Sequence, residues 1–245
     1  MFGRWKRSSL LWLEAVSSTD AQNMAKIKLK TPQERLADLG RSVARKLKAS
    51  GRAQIVAQNG LTLYFVQDFM SRTECEDLIT LIDKGRQPSG LLSASADPEF
   101  RTSDSCNLSH LDPLVERIEG RICALMGIDY RHGETLQGQV YEVGQQFKAH
   151  HDHFMRGPVY WDEMMRQGGQ RSWTGMIYLN EPAAGGETEF PTAGMTVSPR
   201  TAMLVSWNNM QDDGSPNPAT LHAGKPVLAG TKYIVTKWFR EKFWV

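Results

Sequence analysis

The sequence predicts a mainly β protein, an antiparallel sandwich or jelly roll behind an N-terminal helical layer. Three observations carry this. From Leu136 to Arg240 the chain is a series of short strand-like runs, LQGQVYEV, RSWTGMIYLN, TEFP, GMTVSP, TAMLVSW, ATLHA and KYIVTKWFR, separated by Gly, Pro and Asn turns. Ahead of that series, apolar residues recur at helical spacing instead. The 245 residues, 40% hydrophobic and 23% charged, suit one sizeable globular domain, with or without an appendage.

Thr31 to Ser50, TPQERLADLGRSVARKLKAS, reads as a helix. Thr31 can cap it, Pro32 suits the first turn, and Glu34 completes a capping box. Leu36, Leu39, Val43 and Leu47 form its apolar stripe, and Lys46 and Lys48 suit its C-terminal end. This basic helix reads as packed on the body with a solvated face, or as a surface or nucleic-acid contact. A strand follows at Leu61 to Val66, then a helix from Ser71 to Lys84 whose Glu74 stands at capping-box spacing. Pro88 to Thr102 reads as loop, and Asp112 to Met126 as a helix with Leu114, Ile118, Ile122 and Leu125 on one face. Gly185 and Gly186 read as a tight turn. The insert Arg156 to Gln167 reads as a lid or a surface loop.

The net charge of +2 is a sum over unlike parts. Residues 1–50 hold 11 Lys and Arg against 4 Asp and Glu, leaving 18 against 23 in the remainder. A basic N-terminal extension with one helix, residues 1–55, is therefore expected ahead of a mildly acidic domain, residues 56–245. The balance makes nucleic acid an unlikely partner, and no stretch approaches the ~20 apolar residues of a membrane span. Met1 to Ser18 is a poor signal peptide, because Glu14 breaks its short apolar run and no clear cleavage site follows. Cys75, Cys106 and Cys123 are odd in number and widely spaced, which reads as reduced structural thiols in a cytoplasmic protein.

The chemistry concentrates in YEVGQQFKAHHDHF, Tyr141 to Phe154. On a strand, residues two apart share a face, so His150 and Asp152 would converge while His151 and His153 face away. A third ligand would come from a distant strand, where His222 in ATLHAG is the suitable histidine. Two histidines and one carboxylate suit non-haem Fe(II), because three protein ligands on one face leave three positions open. Ten residues on, Lys232 returns through the Gly230 turn into the same barrel, where a buried ammonium calls for an anion.

These stretches, with GGQRSWTGMIYLNEPAAGGETEFP, LHAGKPVLAGTKYIVTKWF and RTS at Arg101 to Ser103, resemble the prolyl 4-hydroxylase family of Fe(II)- and 2-oxoglutarate-dependent dioxygenases. The resemblance spans roughly residues 60–245 and implies a double-stranded β-helix, or cupin-like jelly roll. It implies His150, Asp152 and His222 as Fe(II) ligands, and Lys232 on the distal carboxylate of 2-oxoglutarate. Tyr141 and Thr174 would help to hold that co-substrate. Arg101, Glu134, Phe147, Arg171, Trp238 and Arg240 would lie on the substrate side. The implied reaction consumes O2 and hydroxylates a C–H bond, most readily of a prolyl residue in a peptide or protein, with ascorbate as a possible accessory. From the residues alone, Tyr141 and Thr174 also read as strand core, Phe147 and Trp238 as packing, and Arg171 as the partner of a surface acid. The chain departs from the family at Phe147, often Tyr, at Arg240, often smaller or His, at Tyr233, usually Trp, and at Asp104, Ser105 and Cys106 after RTS. Those departures leave a free amino acid or another small metabolite as the alternative substrate. A non-catalytic metal-binding jelly roll is the reading from a different class.

Overall fold

A computed structural model describes residues 29–91 and 97–244. The sequence readings of residues 1–28, and of 92–96 within the predicted loop, lie outside the described residues. Residues Pro32–Val245 cluster as one unit.

The first helix, α1, spans Pro32–Ala49 and buries Leu36, Ala37, Val43 and Leu47, one side of an amphipathic stripe. Strands β1 (Gln54–Gln58) and β2 (Leu61–Val66) form a hairpin. Helix α2 (Arg72–Gly85) starts at the expected box: Glu74 N donates to Ser71 Oγ at 3.1 Å, and Ser71 N donates to Glu74 Oε2 at 2.9 Å. Strands β3 (Gln87–Pro88) and β4 (Asp104–Asn107) precede helix α3 (Pro113–Met126), which Asp112 caps. Then come β5 (Gln137–Tyr141), β6 (Phe147–His150), the short helix α4 (Trp161–Arg166) and β7 (Arg171–Tyr178). The chain ends through β8 (Ala184–Gly185), β9 (Thr188–Phe190), β10 (Met195–Val197), β11 (Leu204–Asn208), β12 (His222–Gly224), β13 (Val227–Ala229) and β14 (Lys232–Arg240).

The strands build the predicted jelly roll. An eight-stranded antiparallel sheet, in the order β1-β2-β11-β7-β14-β5-β4-β3, faces a four-stranded sheet, β10-β9-β12-β6. Alternation along each strand divides the apolar residues between two cores. On β14, Tyr233, Val235 and Phe239 join the core beneath the helices, with Leu47, Ile82 and Ile122. Ile234 joins the core between the sheets, with Met176, Tyr178, Phe190 and Trp207. The two cores account for the mainly apolar helix stripes and for strands that are buried on both faces.

Several elements differ from expectation. β1 lies in an unpredicted place because four of its five residues are exposed, so no alternation marks it. β4 reads DSCN, without β-branched or aromatic residues, and is held by pairing with β5. The run ATLHA is only half strand: Pro218–Thr220 form a 3-10 turn capped by Asn217, and the strand opens at His222. The insert contains the helix α4. The turn at Gly185 and Gly186 is as expected, with φ of +75° and +74°. Among the described residues no helix is long and apolar enough to cross a membrane.

Candidate metal and co-substrate site

His150 ends β6 and His222 opens β12, and the two are direct partners in the register of the smaller sheet. Asp152 does not reach them by strand alternation, as the spacing had suggested. β6 stops at His150, and the bend that follows carries the buried carboxylate to the same point. One donor atom from each of the three lies within 4.8 Å of the others. The backbone fixes both rings. His150 Nδ1 donates to Lys148 O at 2.8 Å, and His222 Nδ1 donates to Thr220 O at 2.9 Å, which leaves each Nε2 with its lone pair. Phe147 stacks on the His150 ring at 3.5 Å between centroids and 14° between planes. Burial, with His222 beside it, pushes His150 down to about 3, so the ring is a neutral ligand at physiological pH. Burial opposes the charge on Asp152, yet His222, His150, Arg171 and a hydroxyl hold its pKa below the ordinary value.

That hydroxyl belongs to Thr174, whose Oγ1 donates to Asp152 Oδ2 at 2.7 Å. Asn209 Nδ2 donates to Thr174 Oγ1 at 2.9 Å, and Trp207 Nε1 donates to Asn209 Oδ1 at 3.0 Å. Thr174 therefore orients the carboxylate through a buried chain of bonds, as well as lining the cavity next to it. Asn209 went unnoticed in the sequence, since an asparagine just past a strand looks like a turn residue.

Behind the three donors lies a narrow cavity lined by Gln139, Tyr141, Thr174, Thr188, Ile234 and Thr236, with Lys232 at its back. Lys232 is 1% exposed and makes no hydrogen bond or ion pair with the described residues; the Tyr141 and Tyr178 rings lie 5.0 and 5.5 Å from its Nζ. Burial pushes its pKa down to about 7, against a weak opposing pull from Glu187. A Cβ at Gly186 would come within 3.1 Å of Lys232 Cδ, so this turn also makes room for the side chain. Tyr141 Oη donates to Gln139 Oε1 at 2.8 Å, and Gln139 Nε2 donates to Thr236 Oγ1 at 3.2 Å. Gln139 was legible only as the residue two before Tyr141, on the same strand face. The donor set fits Fe(II), and the narrow cavity, with a buried lysine that pairs with none of the described residues, fits a carboxylate-bearing co-substrate.

The 2OG-Fe(II) oxygenase superfamily matches residues 136–240. The Arabidopsis thaliana protein named "Probable prolyl 4-hydroxylase 8" is 35% identical over 202 residues, 72% of this chain and 67% of its own length. Prolyl 4-hydroxylase 1 of the same plant is 32% identical over 198 residues, 72% and 68% of the two chains. The viral collagen prolyl hydroxylase of Paramecium bursaria Chlorella virus-1, solved with 2-oxoglutarate, superposes with a TM-score of 0.58 at 26% identity, covering 73% of this chain and 95% of that one. The chain belongs to the prolyl 4-hydroxylase family. It is a 2-oxoglutarate- and Fe(II)-dependent dioxygenase, and the chain spans about two thirds of the length of its plant relatives.

In this dioxygenase the iron end of the cavity opens into a mouth of about 700 Å³ that shares Phe147, His150, Asp152 and Trp238 with it. Arg101 and Arg171 line the mouth, together with Tyr160 from the insert. Arg101 lies over the Phe147 ring, 4.8 Å from its centroid. Arg171 forms a fork to Glu134, with Nε and Nη2 each donating at 2.7 Å, and covers the Trp238 ring at 4.1 Å. Its partner is thus a half-buried acid, not a surface one. Burial works against the Arg171 charge, but Glu134 raises its pKa above the ordinary value.

Arg240 does not share this surface. It is 1% exposed, lies outside the walls of the mouth, and donates through Nη2 to Met164 O and Gln167 O at 3.2 Å. Its Nη1 stands 3.4 Å from Glu134 Oε1. The side chain ties the insert to the Arg171–Glu134 pair. A long cation at this position reaches past the rim, where the smaller family residue would stop.

Proposed function

We propose that the enzyme hydroxylates a prolyl residue in a peptide or protein. The observation that carries this is the combination of a His-Asp-His donor set with a buried lysine that has no hydrogen-bond or ion-pair partner among the described residues, in a chain whose relatives are named prolyl 4-hydroxylases across that same region. In this reading His150, Asp152 and His222 hold Fe(II). Lys232 pairs with the far carboxylate of 2-oxoglutarate, with Tyr141 beside it, and Thr174 orients the Asp152 ligand.

When bound, Fe(II) with 2-oxoglutarate and O2 supplies an oxidative decarboxylation to succinate and CO2 that returns one oxygen to a C–H bond. The chain's own contribution is placement. The ring tautomers set by Lys148 O and Thr220 O keep both Nε2 atoms aimed inward. The core between the sheets packs against the cavity through Tyr141, Met176, Trp207 and Ile234. At the mouth, Arg101, Phe147, Arg171 with Glu134, and Trp238 form the substrate wall. Trp238 contributes its ring face, which Arg171 covers at 4.1 Å. Arg240 acts behind that wall. A free amino acid or small metabolite is the less favoured substrate, since the mouth is broad and open and the relatives are prolyl hydroxylases. Ascorbate as an accessory reductant rests on the family resemblance. Three free cysteines suit a reducing, cytoplasmic setting. Residues 56–245 hold every assigned group, while α1, from the basic residues 1–55 proposed as an extension, packs Val43 and Leu47 into the same core.

Two measurements test this. Asp152→Ala is expected to reduce Fe(II)-dependent succinate formation without substrate to background; full retention would overturn the ligand assignment. Intact-mass analysis of proline-containing peptides should show the gain of one oxygen. A gain confined to small amines or acids would move the substrate assignment to the alternative.

A further inference from the structure

Beside the mouth, the edge of the larger sheet carries a second groove of about 520 Å³. Ser105 and Gln137 form part of the wall of both cavities, so the groove and the mouth adjoin. Arg101 stands at the junction, where Nη1 donates to Gly90 O and Nη2 to Gln137 Oε1, both at 3.2 Å. The groove is floored by Leu81, Pro88 and Val115 and edged by Gln87 and Asn107.

Three features define what the groove would accept. The edge strand β3 has only two residues and pairs with Asp104 and Ser105; among the described residues no strand covers the outer edge of Cys106 and Asn107. Gln87 and Asn107 are exposed, and their side-chain amides make no hydrogen bond to the described residues. Gln137 gives its oxygen to Arg101, which leaves its N–H2 group to donate. The one ionisable carboxylate in the wall, Asp112, is occupied in capping α3. The groove therefore offers primary amides and apolar patches with no cation. An uncharged chain with backbone carbonyls for the Gln137 NH2 group and apolar rings for Leu81, Pro88 and Val115 matches it. That is the chemistry of an extended proline-rich peptide.

We propose that the flank of the peptide substrate lies in this groove while its target residue sits in the mouth. The inference rests on the prolyl reading above and adds a second binding surface to it. The adjoining walls commit the occupant to the same peptide.

The test compares a proline-rich peptide long enough to span mouth and groove with a short one that fills the mouth alone. The variants are Gln87→Trp combined with Asn107→Trp, both at exposed positions, and separately Gly85→Leu. A Cβ at Gly85 meets only Cys106, at 3.5 Å, so leucine there fills the groove without displacing backbone. The kcat/KM for the long peptide should fall by about tenfold, through KM. Turnover of the short peptide, and of 2-oxoglutarate without peptide, should not change. An equal loss for both lengths, or no loss for the long one, overturns the groove and leaves the prolyl reading intact. If the wild type consumes 2-oxoglutarate but hydroxylates neither peptide, the prolyl reading fails and the groove with it.

Discussion

Two buried lysines stand five residues apart on β14, and they have opposite fates. Lys237 faces the helical layer, where Nζ donates to Glu119 Oε1 at 2.5 Å and also to Glu134 O. Gly133 makes that approach possible, since a Cβ there would lie 2.3 Å from Lys237 Cε. Lys232 faces the space between the sheets and has no hydrogen-bond or ion-pair partner among the described residues. One strand thus carries a cation that is finished and a cation that is waiting. An odd separation on a strand puts the two on opposite faces, so the sheet itself separates a stabilising ion pair from a binding site. An unpaired buried charge persists where function requires it, because the fold must offset the desolvation without an ion pair in return.

The largest expected effect strikes the paired lysine. Lys237→Ala should destabilise the protein by about 3–5 kcal/mol, because Glu119 is left half-buried and unpaired. Urea denaturation measures this, and the affinity for 2-oxoglutarate should hold. Loss of that affinity with unchanged stability would reverse the two roles.

Next, Lys232→Ala should weaken 2-oxoglutarate binding by about 10- to 100-fold, the worth of a charge-assisted bond, with little loss of stability. Anaerobic calorimetry with Fe(II) present reads it directly. An unchanged affinity would move the carboxylate anchor elsewhere.

The smallest effect is a slope. The pKa of Lys232 lies near 7 in the ligand-free protein, lowered from the ordinary 10.5. The free enzyme therefore holds that proton below about pH 7 and sheds it above, whereas the bound carboxylate favours the charged form. Affinity for 2-oxoglutarate should be flat below about pH 7 and weaken by up to about tenfold per unit above it. Lys232→Arg, which keeps its charge, should flatten the rise. A slope that survives in the arginine variant would assign the titration to another group.

Much of the site was legible because its chemistry depends on residue type and short spacing. His150 and Asp152 are two apart, and Lys232 follows His222 by ten. What misled was geometry at the ends of elements. Asp152 was assigned to a strand that stops two residues earlier, and ATLHA to a strand that begins only at His222. Arg240 was placed among the substrate contacts by the family resemblance, although its length and burial send it to the insert instead.

The sequence by itself determined the helix cap at Ser71, the strand series, the donor types and the lysine that follows them, since each is written in local pattern or residue identity. Only the tertiary structure decided that Thr174 serves Asp152, that Glu134 is shared by Arg171 and Arg240, and that one lysine of β14 is paired while the other is not. Each of those facts depends on contacts between residues far apart in sequence. A one-dimensional pattern gives the face on which a side chain lies but not the group that will stand opposite it.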